Sequence, residues 1–269
     1  MIYHVIEQII EFLFKFKLFQ MDFEHEPVYY QEPEDYWCKV AYFETNDRVG
    51  ELYHAKNDVF QIDGFTNPRM DANRFSLGQL CNIKRNSSIE NTRRHIGKGM
   101  FICSKSKTKI TEWKNATSIS CCVNNALIIN SYVLTGVRLV NQNGKVYLEC
   151  LSDRPIFVQS QIGNIFEGVH QFAVWKMNPN SSKVVYDGCK FSEILERCAK
   201  LGYKHVYELT KMCQIKISFV KGWGSSEYHR QEITSTPCWV EINLFGPLKW
   251  LDDVLKVMPN YSEPITSFT

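Results

Sequence analysis

Gln214-Ile215-Lys216-Ile217-Ser218-Phe219 and Trp239-Val240-Glu241-Ile242-Asn243-Leu244 read as one strand entering and one strand leaving the loop Val220-Lys221-Gly222-Trp223-Gly224-Ser225-Ser226-Glu227-Tyr228-His229-Arg230-Gln231. Gly222 and Gly224 flank Trp223, so the backbone can turn tightly and take positive φ. Lys221, His229 and Arg230 supply donors and Tyr228 a phenolic one, against Glu227 and Glu232 as the nearby acids. Such a loop suits a phosphate better than a metal ion or an acyl substrate. Basic loops are common, and spacing alone reads first as a surface hairpin loop whose tryptophan plugs a core edge. The chain ends Pro264-Ile265-Thr266-Ser267-Phe268-Thr269, with hydroxyls beside the C-terminus. A phosphate placed there would sit on a tail free to find a basic pocket on its own or another chain, although the segment alone reads as a polar terminus.

The bulk numbers bound the rest. The chain has 269 residues, 44% of them hydrophobic, enough for one large domain or two small ones. A net charge of +2 provides no general field for nucleic acid or an anionic membrane, so any electrostatic function is local. The ten cysteines are scattered, without a CxxC pair, and Cys121-Cys122 are adjacent, which suits neither a zinc knuckle nor an ordinary disulfide. Buried free thiols in a reducing compartment are the expectation, with no metal and no cofactor. Met1 to Gln20 is apolar but interrupted by His4, Glu7, Glu11, Lys15 and Lys17, too broken for a membrane span. Val5, Ile9, Phe12 and Leu13 would share a face of an amphipathic helix, and Glu24 to Asp35 reads as an extended lead-in.

From Trp37 the pattern turns to short strands: 38–44, a return at 52–55, one beginning at Ser76-Leu77-Gly78, then 137–140 and 145–150 around an Asn-Gly turn, 156–159, 172–177 and 183–186. Ile62-Asp63-Gly64-Phe65 opens a polar loop, and 88–94 forms one or two helical turns capped by Ser87 or Ser88. Phe191, Ile194, Leu195 and Cys198 mark a helix capped at Gly202, with a second through His205, Val206, Leu209 and Met212. A last helix starts at Gly246-Pro247 and buries Leu248, Leu251, Val254, Leu255 and Met258. This order of elements predicts a mainly β fold: a β-sandwich with helices at its ends.

Longer motifs carry a resemblance. Arg74-Phe75, Asn91-Thr92-Arg93-Arg94-His95-Ile96-Gly97-Lys98-Gly99, Glu149-Cys150-Leu151-Ser152-Asp153, Tyr207 to Cys213, the Phe219 to Gln231 loop and Gly246 to Asp252 closely resemble the C-terminal MAD-homology (MH2) domain of Smad proteins. The resemblance runs from about Pro33 to the end, making residues 1–32 an N-terminal extension and 33–269 an MH2-like domain. It implies a Smad/FHA-like β-sandwich with a loop-helix region at one end and a three-helix bundle at the other. It also implies an intracellular transducer and transcriptional modulator of the TGF-β superfamily, not an enzyme, that moves from cytoplasm to nucleus on activation. The implied partners are a type I receptor serine/threonine kinase, a co-Smad and like subunits in a trimer, and DNA-binding transcription factors with coactivators.

Carried onto this sequence, the receptor-phosphorylated positions are Ser267 and Thr269, where the family has Ser-Ser-x-Ser and the terminal threonine is a departure. The phosphate-binding pocket falls at Lys176, Lys221 and Tyr228, with Arg230 nearby. Receptor choice falls to His229 and Glu232, which together with Ile89-Glu90-Asn91-Thr92 look like the bone-morphogenetic-protein (BMP) branch. That branch usually has aspartate at Glu232, and the extra residue in Ser225-Ser226 departs from both branches, leaving receptor choice open. Asp63, Arg74 and Asp252 are implied at the trimer interface, so that Arg74→Asp would leave a folded monomer unable to assemble. By spacing alone they read as surface ion pairs.

Between Gly99 and Val137 the family pattern is interrupted, and residues 100–136 read either as a retained intron or as a lineage-specific loop that bulges outward. Residues 1–30 carry neither the zinc ligands nor the basic hairpin of the Smad DNA-binding half, so direct DNA binding and membrane insertion are not expected. No Gly-x-Ser-x-Gly, His-Glu-x-x-His or phosphate-loop pattern supports an enzyme. The competing readings are a non-phosphorylated phosphopeptide-binding adaptor and an inhibitory Smad.

Overall fold

The alternating runs flanking the long loop become the two central strands of a seven-stranded sheet. A computed structural model of the chain describes residues 36–65, 73–96, 100–102 and 132–258. In chain order the strands are β1 (Cys38–Glu44), β2 (Asp47–Arg48), β3 (Tyr53–Ala55), β4 (Val59–Asp63), β5 (Arg74–Ser76), β6 (Met100–Ile102) and β7 (Tyr132–Leu134). They continue with β8 (Val137–Gln142), β9 (Lys145–Cys150), β10 (Ile156–Ser160), β11 (Trp175–Met177), β12 (Ser182–Asp187), β13 (Gln214–Phe219) and β14 (Trp239–Leu244). The helices are α1 (Ser87–Ile96), α2 (Gln161–Phe166), α3 (Gly188–Leu201), α4 (Tyr203–Glu208) and α5 (Phe245–Val257).

One sheet has the order β11-β10-β13-β14-β1-β2, with β3 also on β1, and the second has the order β12-β9-β8-β4-β5. Their inner faces alternate as period-2 strands must. Val40 and Tyr42, Ile215 and Ile217, and Val240 and Ile242 from the first sheet are buried in one core with Phe60 and Ile62, Val137 and Leu139, and Val146 and Leu148 from the second. The β8–β9 hairpin turns on Asn143 and Gly144, both at positive φ (48° and 81°), as a two-residue turn of this hand requires.

The register separates two ends. Ser160 faces Ile215 and Cys38 faces Leu244, so α2, the 3-10 turn before β13 and α5 gather at one end. Asp187 faces Lys145, which brings α3 to the same end. There α3, α4 with the 3-10 turn Leu209–Cys213, and α5 form the helical bundle, with Phe191 edge-on to Trp250 at 5.9 Å. Ile156 faces Phe219 and Ile62 faces Val137, which puts the loop after β13 and the C-terminal end of β4 at the opposite end.

Several expectations are corrected. Val59–Asp63 is a strand rather than the mouth of a loop, because Phe60 and Ile62 point inward on either side of the polar Gln61. The chain at Ser76-Leu77-Gly78 ends a strand and enters a 3-10 turn. The cap of α1 is Asn86, whose Oδ1 accepts from the Ile89 amide at 3.0 Å, rather than Ser87 or Ser88. Residues 172–174 stay outside β11, because the Asn164 side chain takes the Gln171 and Ala173 carbonyls at 2.8 Å each. The short helix α2 has no counterpart in the sequence reading.

The 1–20 helix, the 24–35 lead-in, the interior of the 100–136 stretch, and Ser267 and Thr269 lie outside the described residues. The ends of that stretch are paired: β6 runs antiparallel to β7, with Ile102 opposite Tyr132. Deleting 103–131 and closing the gap with Asn-Gly is therefore expected to shift the melting temperature by no more than about 5 °C, because the join links, by a hairpin turn, two strands already paired. A loss of cooperative unfolding would show instead that the stretch contributes to the core.

Candidate functional site

One cross-strand row builds the site. Lys176 on β11 faces Phe157 on β10, Phe157 faces Ser218 on β13, Ser218 faces Trp239 on β14, and Trp239 faces Phe43 on β1. Residues directly opposite one another project from the same face. This face is the outer one, and the loop folds back over it. Phe157, Trp223, Ile233 and Trp239 form a second apolar cluster there, flanked by Phe43, Val174 and Tyr228. Phe43 stacks on Trp239 at 4.1 Å, and the indole Nε1 donates to the Thr45 carbonyl at 2.8 Å. The loop tryptophan thus covers the outside of the sheet and does not enter the main core.

Gly222 permits this descent. A Cβ there would stand 2.7 Å from the Tyr228 ring and 2.8 Å from the Phe157 ring. Tyr228 meets Phe157 edge-on at 5.0 Å. Phe157 is therefore the hub on which Lys176, by register, and Tyr228, by ring contact, converge. Lys221 adjoins them through Gly222, at the base of the same loop. Lys176 and Lys221 are exposed, and neither forms an ion pair with a described residue.

Arg230 holds its own loop with two of its five N–H donors. Its Nε donates to the Ser235 carbonyl and a terminal nitrogen to the Tyr228 carbonyl, each at 3.2 Å, and its own carbonyl accepts from Gly224 at 2.8 Å. It frames the loop. His229 is exposed in the left-handed conformation (φ 53°), and Glu232 is exposed, accepting from the Thr234 hydroxyl at 3.2 Å.

The residues read from resemblance as an interface divide between the two ends. Asp252 is exposed on α5, in the helical bundle. Asp63 ends β4 and Arg74 begins β5, at the loop end, and they are not the surface ion pair that spacing alone suggested. Asp63 is fully buried, accepts the Phe65 amide at 2.9 Å and pairs with Arg74, whose side chain is 22% exposed. The guanidinium also lies 4.8 Å from the Phe65 ring centre. Asp63 is thus an internal brace, and Arg74 is the member of the pair that reaches solvent.

A buried hub at the same end has no counterpart in the sequence reading. Glu44 accepts from the Tyr42 hydroxyl at 3.0 Å, Asn82 at 2.8 Å and Arg85 at 2.9 Å, with Arg93 at 3.7 Å. Arg85 and Arg93 also donate to the Leu80 and Leu77 carbonyls, at 2.9 and 2.7 Å. The hub pins α1 and the turn before it to the end of β1. The sequence signal was a single Glu closing a mostly apolar strand, which reads equally well as a solvated end.

All seven described cysteines are free, but the expectation of burial holds only for Cys38, Cys150, Cys213 and Cys238; Cys198 is half-buried, and Cys81 and Cys189 are exposed. Burial pushes the Cys238 thiol up to about 12, and raises those of Cys38, Cys150 and Cys213 as well. At pH 8, iodoacetamide is therefore expected to label Cys81 and Cys189 in the native protein and to leave the four buried thiols unlabelled until unfolding. The folded state holds these protons more tightly, so stability is intact below the ordinary thiol value of 9.0 and falls as pH rises from there toward 12. The slope is about 1.4 kcal/mol per pH unit per thiol. A flat alkaline profile in urea unfolding would contradict it. Among the described residues, no group of three or more His, Cys, Asp or Glu is placed to hold a metal ion.

Comparison with known proteins adds the following. The family model described as MH2 domain matches residues 35–134 and 124–245, two segments that meet inside the 100–136 stretch. The crystal structure of the interferon regulatory factor 9 IAD domain aligns at 10% identity and a TM-score of 0.47, covering 86% of this chain and 96% of that one. A chain in the crystal structure of STAT2 in complex with IRF9 aligns at 10% identity and a TM-score of 0.47, covering 83% and 99%.

Proposed function

This chain belongs to the MH2 domain family, and on that premise we propose that it is a phosphorylation-triggered assembly switch of the receptor-regulated Smad type. Family membership carries the coarser statement, a protein-interaction module of Smad-like signal transduction. One observation supports the finer reading. Lys176 and the Tyr228 ring meet around Phe157, and Lys221 precedes Gly222, which packs on both rings; both lysines are exposed with no ion pair to a described residue. The chain itself ends in Ser267 and Thr269.

A phosphate on each hydroxyl adds about −1.5 to −2 charges. Each charge-assisted hydrogen bond to lysine or tyrosine contributes roughly 1.5–3 kcal/mol, so two or three strengthen a weak contact about a hundredfold or more. Arg74 and Asp252 stand at opposite ends of the fold. Contact between them across two subunits would be heterologous, the kind that makes a closed trimer when its rotation is a third of a turn. In this proposal a type I receptor kinase of the BMP branch docks at the loop through His229 and Glu232 and phosphorylates the tail. The tail then seats on a neighbouring subunit or a co-Smad, and the trimer acts in the nucleus with DNA-binding transcription factors and coactivators.

Binding to a receptor segment phosphorylated on serine tests the docking step. The Lys221→Glu protein is expected to bind it about a hundredfold more weakly than the parent, having exchanged an attraction for a repulsion. Equal binding would reject this use of the loop. A tail that stays unmodified after receptor stimulation, by mass spectrometry of the C-terminal peptide, would favour an adaptor or an inhibitory Smad instead.

A further inference from the structure

The backbone leading into Lys221 takes an unusual conformation. Val220 sits at φ 68°, in the left-handed region that β-branched residues avoid. The Lys221 amide donates to the Phe219 carbonyl at 2.7 Å, closing a three-residue γ-turn over Val220, a form that is rare and strained. Glycine would adopt it freely, yet the position holds valine, so the surroundings must enforce it.

The enforcing contacts can be named. The Val220 amide donates to the Pro155 carbonyl at 3.1 Å, and the Phe219 amide to the Cys238 carbonyl at 3.0 Å. Ser218 is fully buried, and its hydroxyl donates to the Lys221 carbonyl at 2.8 Å, with the Cys238 carbonyl also within 3.4 Å. Ser218 occupies the outer-face row between Phe157 and Trp239, where an aromatic or aliphatic residue would otherwise extend the second apolar cluster. A small hydroxyl in that place has a specific consequence: it clamps the carbonyl of the very residue whose ammonium faces solvent.

We propose that Ser218 and Val220 are positioning residues that fix the Lys221 backbone next to Gly222, at the edge of the Phe157 and Tyr228 rings, so that the lysine meets a phosphate without first losing backbone freedom. The proposal rests on the phosphate-capture reading of the loop, and it adds two residues that touch no phosphate. Preorganisation of this kind raises affinity by removing an ordering cost from the binding step.

The test titrates a peptide of residues 261–269, phosphorylated on Ser267 and Thr269, into the parent, Val220→Gly and Ser218→Ala proteins, well below each one's unfolding temperature. Val220→Gly relieves the strained φ and is expected to stay folded. It should nonetheless bind about three- to tenfold more weakly, as a freed backbone must be ordered again on binding. Its affinity should also depend less on salt, because Lys221 no longer sits at a fixed distance from the phosphate. Ser218→Ala should weaken binding in the same direction, and in both variants the Lys221 amide should exchange faster with solvent. Parent affinity and parent salt dependence in Val220→Gly would overturn the positioning role while leaving phosphate capture intact. A parent protein that ignores the phosphorylated peptide would overturn phosphate capture itself, and the positioning role with it.

Discussion

The Glu44→Gln protein is expected to be about 3 kcal/mol less stable than the parent in urea unfolding, because removing the buried member of an ion pair leaves its two arginines with only the exposed Glu90 at 4.0 Å. Here the residue removed serves two cations. The Arg85 and Arg93 side chains are 17% and 10% exposed, and Glu44 is the fully buried carboxylate within reach of both. Glutamine keeps the shape but replaces one carboxylate oxygen by an amide donor, so one of the two acceptors facing Tyr42 and Asn82 is lost together with the charge. The loss should appear as a lower midpoint at an unchanged m-value. A loss below about 1 kcal/mol would mean that the hub is hydrated and behaves as a surface pair.

The Arg74→Asp protein is expected to lose about as much, roughly 3–5 kcal/mol, since the change strands buried Asp63 and sets a second carboxylate against it. The sequence reading predicted a folded monomer, defective only in assembly. That expectation treats Arg74 as a surface side chain, whereas its guanidinium is the counter-ion of a fully buried acid. Asp252→Arg gives the cleaner test of the interface, because Asp252 is exposed on α5 and reverses charge without opening the core. The variant should melt within a few degrees of the parent. If Arg74→Asp melts as the parent does, Asp63 is not held as described.

These two residues also mark where sequence reading stops. The runs 38–44, 145–150, 214–219 and 239–244 could be bounded to the residue, because each is rich in β-branched and aromatic residues, keeps its inward positions apolar and is bounded by turns or loops. The helix ending at Gly202 was equally legible, since glycine there takes φ 110° where the helix stops. What could not be read depends on partners distant in sequence. Asp63 is a brace because Arg74 lies on a strand that runs parallel to its own. Glu44 is a hub because two arginines some forty to fifty residues later fold back over it.

The site divides in the same way. Donors on the loop were visible as residue types, and resemblance added Lys176. That Lys176 and Tyr228 share Phe157 follows only from the pairing of β10 with β11 and the fold of the loop. Arg230 reads as one more donor for a phosphate, and two of its N–H groups are held by carbonyls of its own loop. The clamp by Ser218 was hidden for the same reason: a serine in a strand carries no sign of which carbonyl it will reach.

The central claim is that charge on the last hydroxyls is captured by the lysine pair of another subunit. Multi-angle light scattering of the protein carrying phosphates on Ser267 and Thr269, alone and with a co-Smad, tests it most directly. The account predicts a monomer before modification, a trimer after it, and a monomer again when Lys221 is replaced by glutamate. A doubly phosphorylated protein that remains monomeric in both mixtures would contradict it.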